Sequence, residues 1–414
     1  MQKSEAAVIL MRKIFNDIEF LFPKEFDIEN FIQSSAIEPF SMESMEYLNA
    51  LAVELKKAKN IRNYPDVATF AFFCRKANIH NLKMLYIKED KLKLGRGIAF
   101  HIAPSNVPVN FAYSLICGLL SGNTNIVRVP SKRFEQVEII CNAIQELSQN
   151  QEYQKISSRI ALLRYDRKSS ATAYFSSICD VRIIWGGDTT IEQIRVNKLP
   201  ARSFDVTFAD RYSLCAINAN KYINETAPEK IALGFYNDTY LFDQNACTAP
   251  HLIVWLGETE NIKIAKRIFW HNLYELVKSK YHVQPVIAVD KLTSFYNQAA
   301  LSDHIRKTNT PDNLIWRIEL NELTKDIDEY RCTSGYFSEY NASSLFELLK
   351  IIDRKYQTLA YYGIEKTDLI KFISQAKPNG IDRIVPIGKT TDFSLTWDGY
   401  NLIETLSREI QLTY

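Results

Sequence analysis

The chain has 414 residues, 46% hydrophobic, 12% aromatic and 24% charged, which excludes dominant disorder and exceeds one compact core, so two or three domains are expected. Lys and Arg total 50 against 48 for Asp and Glu, a formal charge of +2 that excludes a global field for nucleic acid or an anionic membrane but not a local phosphate pocket. The longest apolar run, 111–120, is about half the roughly 18 residues of a membrane span.

The opening MQKSEAAVILMRKIF has an apolar stretch cut short by Arg12 and Lys13 with no small-residue cleavage site after it, so no signal peptide is expected. The seven cysteines are scattered, with no CxxC pair, which points to a reducing cytoplasm. Residues 1 to about 90 read as helical, with apolar side chains at three- and four-residue spacing in SMESMEYLNALAVELKKAKN. From Leu94 the texture changes. GRGIAFHIAP suits a buried strand, VPVNFAYSLICGLLSGN a buried helix ending at Gly122, and NTNIVRVP a second strand. SKRFEQVEIICNAIQEL has helical periodicity, ISSRIALLRY supplies a third strand, and DVRIIWGGDTTIEQIR a fourth that passes through two glycines into a helix. Strands alternating with helices imply a parallel sheet covered on both faces. A helix over about 225–242, the strand HLIVWLG, a helix over about 261–280 and the strand-like VQPVIAVD continue into a second α/β block. No internal repeat is present.

Several signatures fail on inspection. Gly95 and Gly97 lack the third glycine of G-x-G-x-x-G because position 100 is Phe, and Gly388-Lys389-Thr390 lacks the earlier phosphate-loop glycine because position 383 is Arg. There is no G-x-S-x-G, and the six histidines never pair at metal-ligand spacing, so no metal is expected.

Four segments survive: HIAPSNVPVNF (101–111), LLSGNTNIVRVPSKR (119–133), IIWGGDTTI (183–191) and FDQNACTAPHLIVW (242–255). Their order and spacing resemble the aldehyde dehydrogenase superfamily, and the tail GIDRIVPIGKTTDFSLTWDGYNLI (380–403) is similar to its acyl-CoA reductase branch, the family of the bacterial bioluminescence fatty-acid reductase. The resemblance covers roughly Gly95 to the C-terminus. It implies an aldehyde dehydrogenase-like α/β fold. Residues 1–242 are then a helical N-terminal part and a doubly wound nucleotide-binding domain, 243–385 a catalytic α/β domain, and 386–414 a tail returning to the first domain or to an oligomer interface. The active site is expected in the cleft between the two domains.

Cys247 sits in a polar loop between a predicted helix and a predicted strand, where a thiolate could attack an acyl thioester; the plain alternative for any cysteine is a small buried side chain. The resemblance makes Cys247 the nucleophile and Asn106, in the APSNVP turn, the oxyanion donor; an Asn that only shapes the turn remains the other reading. It also assigns Arg128, Pro130, Ser131 and Lys132 to the cofactor, with Arg128 at the family's usual lysine and Lys132 at its usual glutamate position. Lys132, Ser131 and Arg133 could bind a 2′-phosphate, which implies NADPH; a solvated basic helix start is the alternative. Gly186, Gly187 and Thr189 open the helix beneath the pyrophosphate, although an isolated glycine pair can be a plain turn.

The superfamily's aldehyde-oxidising members carry a Glu-Leu-Gly-Gly segment whose glutamate activates water, and the corresponding SFDVTFADRYSLCAIN has none. The reaction implied is NADPH-dependent reduction of a fatty acyl thioester, acyl-CoA or acyl-protein, to the aldehyde through a cysteine thioester. Two alternatives stay open: an acyl-phosphate reductase forming a semialdehyde, and a non-reducing acyl-accepting subunit. An acyl-activating synthetase partner and a homodimer follow from the resemblance. Phe235, Tyr236, Tyr240, Phe242 and Trp255 either line an acyl tunnel or are core, and His251 reads as structural.

Overall fold

The computed structural model describes residues 14–88, 91–105, 107–302, 305–308 and 310–413. The chain forms two compact units, 1–209 with 395–414, and 210–394.

Unit one is built on β1 (Glu19–Phe22), β2 (Leu92–Gly95), β3 (Ile98–Ile102), β4 (Thr124–Arg128), β5 (Ile160–Arg164), β6 (Val181–Trp185) and β7 (Phe204–Phe208). Six of these form one sheet in the order β1-β5-β4-β3-β6-β7, parallel except for β1, which runs antiparallel to β5. β3, β5 and β6 are buried at every position, as strands covered on both faces must be, and each is apolar except for one residue: His101, Arg164 and Arg182 respectively. Helices α1 (Met42–Lys56), α2 (Asn110–Leu120), α3 (Glu135–Leu147), α4 (Ala171–Ile178) and α5 (Asp188–Arg195) accompany it. α2 buries Phe111, Leu115, Ile116 and Leu119 and stops at Leu120. Gly122 follows at φ +82°, its N–H bonded to the Leu119 carbonyl and that of Asn123 to Gly118. A Cβ on Gly122 would lie 2.0 Å from the Ile37 carbonyl oxygen, so only glycine fits this cap. The tail belongs to unit one through the strand 407–410, which pairs antiparallel with β2.

Unit two contains β8 (Tyr212–Asn218), β9 (Pro250–Leu256), β10 (Ile305–Lys307), β11 (Trp316–Leu320), β12 (Tyr336–Ala342), β13 (Tyr356–Tyr362) and β14 (Arg383–Pro386), in the order β10-β11-β12-β9-β8-β13-β14. All neighbours are parallel except β10 and β11. Helices α6 (Pro228–Thr239) and α7 (Thr259–Lys280) bury Phe235, Phe269, Trp270 and Leu273 in one cluster with Trp255 and Phe337.

Two expectations need correction. The boundary lies at 209/210 rather than 242/243, because β8 is a central strand of the second sheet, between β9 and β13, and carries 210–242 with it. The unit also runs on to Ser394 rather than 385. Apolar periodicity identifies a buried strand without saying which sheet it joins. Second, VQPVIAVD is not a strand but the start of helix α8 (Pro285–Leu301), with Pro285 in the first turn, where a missing N–H costs nothing.

Candidate active site

In unit one the chain runs from β3 outward through β4 to β5, then crosses back to β6 on the other side of β3. The loops leaving β3 and β6 therefore diverge, and open α/β sheets take ligands at such a point, beyond the carboxyl ends of the strands. A pocket of about 320 Å³ lies there, lined by Pro104 and Ser105 after β3, Arg128 and Ser131 at the end of β4, Arg167 after β5, and Trp185, Gly186, Gly187 and Thr190 after β6.

Arg128 is the most informative of these. Its Nη2 donates to the Tyr165 carbonyl at 3.3 Å and its guanidinium lies 4.7 Å from the Tyr165 ring centroid. Its Nε is buried without a hydrogen-bond partner, and it makes no ion pair among the described residues. Burial pulls its pKa down. A desolvated cation without a carboxylate is costly alone, and an anionic ligand would offset that cost. Gly187 supports the same chemistry. It is the N-cap of α5 at φ −65°, and a Cβ built there touches nothing within 4 Å. The protein's own packing does not require glycine at 187, whereas a phosphate approaching the helix N-terminus would.

Beneath the pocket, buried polar groups fix Trp185. Its Nε1 donates to Ser114 Oγ at 3.0 Å, and Ser114 Oγ lies 2.7 Å from His101 Nδ1. His101 Nε2 contacts Asn125 Oδ1 at 3.1 Å, and because Asn125 Nδ2 donates to the Asn123 carbonyl, that oxygen is the acceptor and Nε2 carries the proton. Burial pushes His101 down to about 4, so it is neutral at pH 7. Trp185 also stacks on Phe208, centroids 3.7 Å apart.

Of the sequence-derived cofactor residues, Arg128, Ser131, Gly186 and Gly187 meet in this wall and Pro130, Lys132 and Thr189 do not. Pro130 is buried, its carbonyl accepting from Arg164 Nε at 3.1 Å. Lys132 is exposed, with its ammonium 5.1 Å from the Phe134 ring centroid. Thr189 points outward one helical step from Thr190, which takes its place in the wall. Arg133 pairs with Glu19 at 3.0 Å rather than facing the pocket. Asn106 lies outside the described residues. Arg167 and Thr190 were missed; the signal for Arg167 was a cation just past a predicted parallel strand.

In unit two, Cys247 lies in the loop between the turn at Tyr240–Phe242 and β9, and is partly exposed. Cys74, Cys117, Cys141, Cys179 and Cys215 are buried, and burial pushes Cys141 and Cys179 up to about 12. Cys332 is partly exposed, and burial raises it too. The Cys247 carbonyl accepts from Ser213 Oγ at 2.7 Å, and its sulfur accepts from Gln357 Nε2 at 3.5 Å. Gln244, three residues earlier, is buried in a left-handed conformation at φ +59°. Its Nε2 donates to the carbonyls of Pro250 and Tyr336, both at 3.0 Å, and its Oε1 accepts from the N–H groups of Gly335 and Tyr336 at 2.9 and 3.1 Å. The loop is thereby tied to β9 and β12. The sequence reading missed Ser213, Gln244 and Gln357, whose partners are far away in the chain.

The segment lacking a water-activating glutamate holds two acids, and both are engaged: Asp205 by Arg182 at 2.7 Å and Asp210 by Arg331 at 2.5 Å. His251 is buried, stacked on Tyr212 at 5.6 Å, and pushed down to about 3 by burial, then by the charge of Arg331. Phe235, Tyr236, Tyr240 and Trp255 are core. Among the described residues, no cluster of three or more His, Cys, Asp or Glu suits a metal, and no helix is long and apolar enough to cross a membrane.

The long-chain acyl-protein thioester reductase of Aliivibrio fischeri is 22% identical over 306 residues, covering 72% of this chain and 60% of that protein. The Vibrio harveyi protein of the same name is 23% identical with the same coverage, so the chain spans about 60% of the length of these relatives. Aldehyde dehydrogenase 21 from Physcomitrella patens superposes with a TM-score of 0.63 at 9% identity, covering 89% of this chain and 85% of that one, which shows the aldehyde dehydrogenase fold. The family model described as acyl-CoA reductase (LuxC) matches residues 84–409. That match runs through most of the chain and both of its units, and the protein belongs to the acyl-CoA reductase (LuxC) family.

Proposed function

We propose that this protein reduces a fatty acyl thioester, acyl-CoA or acyl-protein, to the aldehyde with NADPH, carrying the acyl group on Cys247. The observation that carries this reading is the setting of Cys247: a partly exposed thiol whose carbonyl and sulfur are both held by buried side chains. Its thiolate attacks the acyl carbonyl, the carrier leaves as a thiolate that takes up a solvent proton, and an enzyme thioester remains. Asn106 is the proposed donor to the carbonyl oxygen as it gains charge. The stretch 203–218, where the superfamily's aldehyde-oxidising members carry a water-activating glutamate, has none, and an acyl-enzyme without that base persists until reduced.

When bound, the dinucleotide supplies the hydride that reduces the thioester carbonyl. Arg128, Ser131, Gly186 and Gly187 are the proposed holding residues, with Arg167 added to them. The pocket wall has two arginines and no carboxylate among the described residues, which suits a phosphate-rich ligand, and exposed Lys132 is the proposed cation for a 2′-phosphate. Family resemblance adds an acyl-activating synthetase partner, a homodimer and a cytoplasmic location to the proposal.

The test is labelling with a radioactive long-chain acyl-CoA. Label is expected on wild type, to be discharged as aldehyde when NADPH is added, and to be absent from Cys247→Ala. Label retained by Cys247→Ala overturns the assignment. Turnover of an acyl phosphate but not a thioester, or stable label with no NADPH oxidation, selects one of the alternatives.

A further inference from the structure

Strands β8 and β13 are neighbours in the second sheet, and both reach Cys247. Ser213 Oγ donates to the Cys247 carbonyl and accepts from the Thr358 N–H at 3.2 Å. The Thr358 hydroxyl donates to Gln357 Oε1 at 3.3 Å, and Gln357 Nε2 returns to the Cys247 sulfur. These bonds close a ring through three residues that are each no more than 1% exposed: Ser213, Gln357 and Thr358.

The ring has a chemical direction. With Oε1 occupied by the Thr358 hydroxyl, the amide turns its N–H groups toward the sulfur and offers it only donors. A neutral thiol accepts only weakly from such a donor, whereas a thiolate accepts well. Donors aimed at a group favour its charged form. A buried amide also needs partners for its donors, and the sulfur is one of them.

We propose that Gln357 is a further catalytic residue of this site, donating to the Cys247 sulfur as it attacks and again as it departs. This rests on the reading of Cys247 as acyl carrier. In the departing step the reduced carbonyl re-forms its C=O bond, the C–S bond breaks with its electron pair going to sulfur, and the Gln357 N–H meets that charge.

The test is alkylation of Cys247 by iodoacetamide, followed by mass spectrometry of the peptide that contains it. Gln357→Leu is expected to slow the reaction at neutral pH by about tenfold, while leaving it within about twofold at alkaline pH, where the sulfur is ionised regardless. Gln357→Glu keeps the shape but sets a carboxylate oxygen against the sulfur, and is expected to slow the neutral reaction about a hundredfold; it also serves if the leucine variant does not fold. A neutral-to-alkaline rate ratio equal to wild type in the folded variant overturns the proposal. Acyl labelling of wild type is scored separately. If Cys247 takes no label, the acyl-carrier reading fails and the catalytic use of Gln357 fails with it, even where the alkylation ratio shifts as expected.

Discussion

Gln244 engages both backbone groups of Tyr336 through one amide, accepting from its N–H at 3.1 Å and donating to its carbonyl at 3.0 Å. Position 244 thus imitates a strand neighbour for the first residue of β12 while turning the chain toward Cys247. Gln244→Ala would orphan the buried N–H groups of Gly335 and Tyr336 and remove the donor to Pro250. A loss of about 3 kcal/mol in urea unfolding is expected, together with weaker acyl labelling. A variant as stable as wild type would show that the staple does not hold the loop.

Gly187 separates binding from folding. Gly187→Ala fits φ −65° and open space, so its unfolding midpoint should equal or slightly exceed that of wild type. The same methyl should weaken NADPH about tenfold or more, read by quenching of Trp185 in the pocket wall. Unchanged affinity would remove Gly187 from the cofactor site.

Arg128→Met should also separate the two properties, for electrostatic reasons. The unpaired guanidinium is desolvated, so replacing it should leave the free protein as stable or more so. NADPH affinity should fall at least about tenfold, and less steeply at high salt. Equal affinity in both proteins counts against a phosphate at Arg128.

Acid should destabilise the fold through its buried histidines. His251 and His101 sit at about 3 and about 4, below the ordinary 6.5, so the unfolded chain takes up their protons first. Their contribution is fully present above pH 6.5 and is lost as pH falls toward 4. Asp238, pushed up to about 6 by burial, works in the opposite sense over part of that range, so the comparison must be between variants. His251→Phe, which keeps a ring against Tyr212, should show a shallower loss of stability than wild type between pH 6.5 and 4. Parallel pH curves would mean that His251 is protonated in the native state.

The strands around the first pocket could be read from local composition because each is buried on both faces and bounded by glycine, proline or a polar turn. Arg128, Ser131 and the glycine pair, which line that pocket, are legible for the same reason, since they follow the ends of predicted strands. Thr189 lies off the pocket wall and Thr190 on it because one residue rotates a helical side chain by about 100°, enough to exchange the pocket for solvent. The error at Pro285 arose because a short apolar run fits a strand and the first turns of a helix equally.

Local sequence determined the alternation of strands and helices, the cap at Gly122 and a polar loop around Cys247, since each depends on neighbours within a turn or a strand. Assignment of β8 to the second sheet, the half-buried Arg128 whose Nε has no hydrogen-bond partner and the hydrogen-bonded ring that joins Ser213, Gln357 and Thr358 to Cys247 were decided only by tertiary structure. These depend on burial and on partners up to 145 residues apart, and no pattern within a single element encodes which distant polar group will be there to meet another.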